Sequence, residues 1–71
     1  MDIGKNVRIL RTLNGLTQAQ LGDMTGVSER MIKFIEKGQK APSLFLTMEM
    51  AKVFGCSLDE ITGFKQKGKL R

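Results

Sequence analysis

The sequence predicts an all-α fold, on three observations. Apolar residues recur three or four positions apart, a capping residue precedes most such stretches with glycine after it, and no stretch alternates apolar and polar residues as a half-buried strand does. With 71 residues the chain has room for one domain with a small core.

The first helix is predicted over Ile3–Leu13, where Ile3, Val7, Leu10 and Leu13 share one face and Lys5, Arg8 and Arg11 occupy the rest. Asn14 and Gly15 end it, because glycine takes the left-handed terminal turn without steric cost. Thr17 caps a second helix over residues 17–25, with Gln20 in capping-box register and Leu16 placed as the hydrophobic staple. Gly26 ends that helix and Ser28 caps a third, over residues 28–36, whose inward residues are Met31, Ile32 and Ile35. After Gly38, the segment KGQKAPS reads as a loop, with Pro42 turning Ala41 away from helical geometry. Residues 44–55 form a fourth helix with Leu44, Met50, Ala51 and Phe54 toward the core, and Ser57 caps a short fifth helix that ends near Gly63. The domain is expected to span residues 1–63, with 64–71 a basic, flexible tail lacking apolar periodicity.

Composition narrows the function classes. Hydrophobic residues make up 41% and charged residues 27%, a soluble globular balance, and no apolar run approaches the ~18 residues of a membrane span. The charged N-terminus is neither signal nor transit peptide, which reads as cytoplasmic. Cys56 is the only cysteine and histidine is absent, so no disulfide or metal cluster is expected and the commonest general base is missing. Neither an enzyme nor a cofactor is expected. Net charge +5 and pI 9.8 favour a polyanionic partner, nucleic acid or anionic membrane. The FKQKGKLR tail carries too little apolar area to hold a membrane surface.

Gly22 and Gly26 are costly residues for an amphipathic helix, about 1 kcal/mol each relative to alanine. A steep crossing of the second and third helices explains both: Gly22 leaves room for backbone approach, Gly26 supplies a positive φ at the turn, and Val27 plugs the cleft. Gly26 is expected to resist substitution more than Gly22, since alanine too is small. The pattern is that of a helix-turn-helix, although a generic helical hairpin shares it.

The pieces GLTQ (15–18), Leu21, GVS (26–28), Ile32, IEKG (35–38), Pro42 and GCSLDEI (55–61) occur in the order and spacing of the Cro/C1-type (XRE) family, which the chain resembles over roughly residues 3–62. The resemblance implies a compact five-helix, lambda-repressor-like DNA-binding domain acting as a transcriptional regulator, in particular a repressor. It makes residues 28–36 the recognition helix. Ser28, Glu29, Arg30, Lys33 and Phe34 are then free to meet bases. Arg30 is suited to the two acceptors of guanine, and Lys33 to a base or a phosphate. Glu29 either accepts from cytosine or simply favours the helix start. Phe34 departs from the family's usual polar residue and faces either a thymine methyl or a partner protein. Thr17 and Gln18 match phosphate-bonding family positions, and Lys37, Gln39, Lys40 and Ser43 line a second backbone anchor. Arg11 and Glu36 match an internal ion pair of the family.

The expected partner is double-stranded DNA bound by a homodimer, weak off DNA, on a two-fold symmetric operator. Its interface is drawn from Leu58, Ile61 and Phe64, one of the first two being kept for the monomer core. No membrane and no small-molecule effector enters this reading. A competing reading is a protein-interaction module, such as the antitoxin of a toxin–antitoxin pair, gripping its partner through Phe34, Phe45 and Met48.

Overall fold

A computed structural model describes residues 2–63. Among them all regular structure is helical: α1 (Ile3–Leu13), α2 (Gln18–Thr25), α3 (Glu29–Glu36), α4 (Leu44–Phe54) and α5 (Leu58–Thr62). The chain's local chemistry explains each boundary. Asp2 caps α1 by accepting from Lys5 N–H at 3.0 Å, a start signal not noticed in the sequence. Thr17 and Gln20 form the reciprocal capping box, at 3.0 Å and 2.8 Å. Ser28, Ser43 and Ser57 cap α3, α4 and α5.

α2 and α3 pack on each other around the 26–28 turn, α1 lies against α3 and α5, and α4 lies against α2 and α5. The shared core holds Val7, Leu21, Ile32, Ile35, Leu46, Met50, Ala51, Phe54 and Ile61. Three expectations are corrected here. Leu13 is 76% exposed and Leu44 is exposed also, Leu13 being the last residue of α1 and Leu44 the first of α4, where packing by the other helices ends. Ile61, offered above for a dimer interface, is 0% exposed and closes the core between α1 and α4. Leu58 is the residue left half-buried at the edge.

The third correction concerns the glycines. Gly26 has φ +83°, as the turn requires, and a Cβ there would meet nothing within 4 Å. A Cβ on Gly22 would lie 2.6 Å from the Val27 carbonyl oxygen and 3.2 Å from Glu29 N, so even alanine does not fit. Gly4, passed over in the sequence, makes the corresponding approach between α1 and α3: a Cβ there would collide with the Ile35 carbonyl. The two close approaches fix where both ends of α3 sit. Asn6 adds a tie from α1 to the end of α5, its Nδ2 donating to Ile61 O at 2.9 Å.

Candidate nucleic-acid interface

Because Ile32 and Ile35 turn inward, α3 presents Glu29, Arg30 and Lys33 outward, flanked by exposed Ser28 before the helix and Lys37 after it. Glu29 and Lys33, one turn apart, approach to 3.8 Å with both side chains about half exposed. Such an exposed pair is weak, so Lys33 is not committed to it, and Glu29 in the first turn also complements the helix dipole.

Phe34 is not the freely exposed ring the sequence suggested. It is half-buried, and the Arg30 guanidinium lies over it, 5.5 Å from the ring centroid. A cation over a ring face at that distance is attracted by the ring's quadrupole, and the contact leaves the guanidinium N–H groups without a protein acceptor among the hydrogen bonds of the described residues. A long, mobile side chain is thereby narrowed toward one direction. Nothing in the sequence gave Arg30 and Phe34 as a pair beyond their i, i+4 spacing, and that spacing was the available signal.

The backbone anchors are more engaged than expected. Thr17 Oγ1 accepts from Gln20 N–H and the Thr17 N–H donates to Gln20 Oε1, which leaves the Thr17 hydroxyl proton and the N–H groups of Gln18 and Ala19 at the start of α2. The half-buried Gln18 side chain donates one of its two amide N–H groups to Glu36 Oε1 at 3.1 Å, which orients it and leaves the second to donate. Lys37, Gln39 and Lys40 are exposed along the 37–43 loop, whose first turn is folded back by bonds from Gly38 N to Ile35 O and from Gln39 N to Phe34 O. Ser43 Oγ accepts from Leu46 N–H as a helix cap and keeps its proton to donate.

One hub joins these parts. Glu36, its side chain 4% exposed, accepts from Arg11 Nε at 2.6 Å, from Arg11 Nη2 at 3.1 Å and from Gln18, while Arg11 Nη1 donates to Leu16 O at 2.8 Å. The carboxylate bond raises the proton affinity of Arg11 above its ordinary value, keeping the guanidinium charged. The hub ties the first helix, the start of α2 and the end of α3 into one unit, so that Thr17 and Lys37 flank a common point. Cys56 takes no part: burial, with the nearby Glu60, pushes its thiol up and keeps it protonated.

Residues 7–61 match the helix-turn-helix family. The chain belongs to the Cro/C1-type helix-turn-helix family. Among its relatives is the competence pilus inhibition repressor of Acinetobacter baylyi, 41% identical over 61 residues that cover 86% of this chain. The chain spans 56% of that repressor's length. An uncharacterized helix-turn-helix transcriptional regulator of Methanocaldococcus jannaschii is 42% identical across 78% of this chain and 83% of its own. The fold is shared with the P22 c2 repressor solved in complex with a synthetic operator, at TM-score 0.80, 30% identity and coverage of 86% and 92% of the two chains. The restriction-modification controller protein C.AhdI of Aeromonas hydrophila superposes at TM-score 0.79 with 28% identity, covering 84% and 91%. As a Cro/C1-type helix-turn-helix protein the chain is a DNA-binding transcriptional regulator. No helix among the described residues is long and apolar enough to cross a membrane.

Proposed function

We propose that the protein is a repressor that binds a two-fold symmetric operator as a homodimer, with α3 lying in the major groove. It acts on DNA in the cytoplasm, with no catalytic step of its own. Arg30, exposed on the outer face of α3 with its guanidinium over Phe34, is the observation that carries this reading: the fork of a guanidinium suits the O6 and N7 acceptors of guanine. Lys33, Glu29 and Ser28 complete the face toward the bases. Thr17, the α2 N-terminus, Lys37, Gln39, Lys40 and Ser43 hold the backbone on either side. Phe34 acts as the platform under Arg30.

Arg30→Ala is expected to lose ~1–3 kcal/mol on the best site and to relax discrimination at one base pair of each half-site, whereas Lys40→Ala weakens all sequences alike. Binding to a set of point-mutated operators measures this. Relative preferences that survive Arg30→Ala unchanged would remove Arg30 from its assigned role.

Pairing follows from information content, because one recognition helix covers too few base pairs to select a site in a genome. The pairing surface is placed at α5, on Leu58, together with Phe64, which lies outside the described residues. Half-sites then sit ~10 base pairs apart, one duplex turn of ~34 Å. Inserting five base pairs between them turns the half-sites to opposite faces and should reduce binding to that of a single half-site. Undiminished binding to the lengthened site contradicts the symmetric dimer.

A second reading, a protein-interaction module, draws on the exposed Leu44, Phe45 and Met48 at the start of α4 and on the groove of about 490 Å³ beside them, between the α2–α3 turn and the 40–43 loop. An apolar interface of that kind is insensitive to salt, unlike phosphate neutralisation.

A further inference from the structure

The start of α1 and the end of α3 enclose a second, polar cleft of about 480 Å³, lined by Asp2, Lys5, Arg8, Glu36, Lys37 and Gly38. It exists because Gly4 lets α1 rest directly on the terminal carbonyls of α3. Of the two acids in it, Glu36 is ion-paired with Arg11 and bonded by Gln18, and Asp2 caps α1 by accepting the Lys5 backbone N–H, a bond from a neutral donor that leaves one carboxylate against three cations. Lys5, Arg8 and Lys37 are exposed and form no ion pair with another described residue. Lys5 and Arg8 are three residues apart on one face of α1, and Lys37 stands opposite at the end of α3. Three cations that line one concave surface beside a single carboxylate without a cationic partner leave a net positive field there, which an anion offsets.

We propose that this cleft is an additional backbone-phosphate site, in which Lys5 and Arg8 carry the DNA contact of Lys37 outward beyond the recognition helix. The proposal rests on the DNA reading above. Continuity favours a DNA phosphate as the anion: Lys37 opens the 37–43 loop of backbone anchors, and Glu36 beside it binds Gln18 at the start of α2. The cleft therefore borders both anchors already assigned to the backbone. A phosphate seated there adds affinity and carries no sequence information.

The test measures the salt dependence of binding for Lys5→Gln, Arg8→Gln and the double variant, on a duplex bearing the selected operator and on an unrelated duplex of equal length. Each lost contact should lower the slope of log K against log salt by about 0.9 per bound subunit. The affinity ratio between the two duplexes should stay constant. Arg8→Lys should restore the wild-type slope, and Lys52→Gln, which removes the same charge from α4 outside the cleft, should leave it unchanged. Ethylation of one outer phosphate should hinder the wild type and not the double variant. Melting temperatures equal to wild type separate these effects from misfolding, which is expected since both side chains are exposed. A wild-type slope and ethylation pattern in the double variant would overturn the phosphate site alone. A wild-type chain that shows no salt-dependent binding would overturn the DNA reading and this site with it.

Discussion

Glu36→Ala is expected to destabilise the protein by about 3–5 kcal/mol, the range for removing one partner of a buried ion pair. The side chains of Glu36 and Arg11 are 4% and 15% exposed, so the variant strands a guanidinium that water reaches poorly. It also releases Gln18 and removes the polar tie between α1 and the end of α3, leaving of these side-chain bonds only that of Arg11 Nη1 to Leu16 O. At ~4–8 °C per kcal/mol for a domain of this size, the melting temperature should fall by more than about 10 °C. The pair is not itself a large source of stability, because desolvation offsets much of its attraction. Replacing both partners at once, Arg11→Met with Glu36→Leu, should therefore return most of the lost stability. DNA binding should not recover with it, since the hub also sets the spacing between the α2 N-terminus and Lys37. A Glu36→Ala variant that melts with the wild type would contradict the hub.

Gly22→Ala is the second large effect, and its sign is informative. In an ordinary helix interior the change stabilises by roughly 0.5–1 kcal/mol, because alanine has less freedom to lose. At position 22 the added methyl would stand 2.6 Å from the Val27 carbonyl, a backbone atom held on both sides by turn and helix. Overpacking of this kind costs ~1–3 kcal/mol and would separate α2 from the start of α3. Gly26→Ala, by contrast, meets no atoms and suffers only the strain of φ +83°, about 1–2 kcal/mol. Gly22→Ala is expected to melt below wild type and to weaken operator binding more than Gly26→Ala does, the reverse of the order the sequence suggested. Thermal melting of the two variants decides this, and a Gly22→Ala protein more stable than wild type would show that α2 and α3 do not cross as described.

What could be read from the sequence were features written in local chemistry. The Thr17–Gln20 box, the Ser28 and Ser57 caps and the left-handed Gly26 depend on a few consecutive residues, and the family pieces from GLTQ to GCSLDEI pinned their order. Features that depend on where helices end relative to one another were not legible. Leu13 and Leu44 obey helical periodicity yet lie beyond the reach of a covering neighbour. In α5 a single turn offers Leu58 and Ile61 equally, and only the packing of α1 and α4 shows that Ile61 fills the core. Gly4 carried a weak signal, a glycine in the first turn of a helix, whose meaning required the Ile35 carbonyl to be placed against it. The same holds at the interface. Exposure of Arg30 was legible, but its resting place over Phe34 depends on side-chain geometry, and the bond from Gln18 to Glu36 joins residues on different helices.

The most direct measurement is selection of bound sequences from a random duplex pool at physiological salt, carried out in parallel with the wild type and with Arg30→Ala. The wild type should enrich an inverted repeat with half-site centres ~10 base pairs apart and a guanine at one fixed position of each half-site, and Arg30→Ala should keep the repeat and lose the guanine. Recovery of no common sequence by the wild type, or of the same guanine by both proteins, would contradict that expectation.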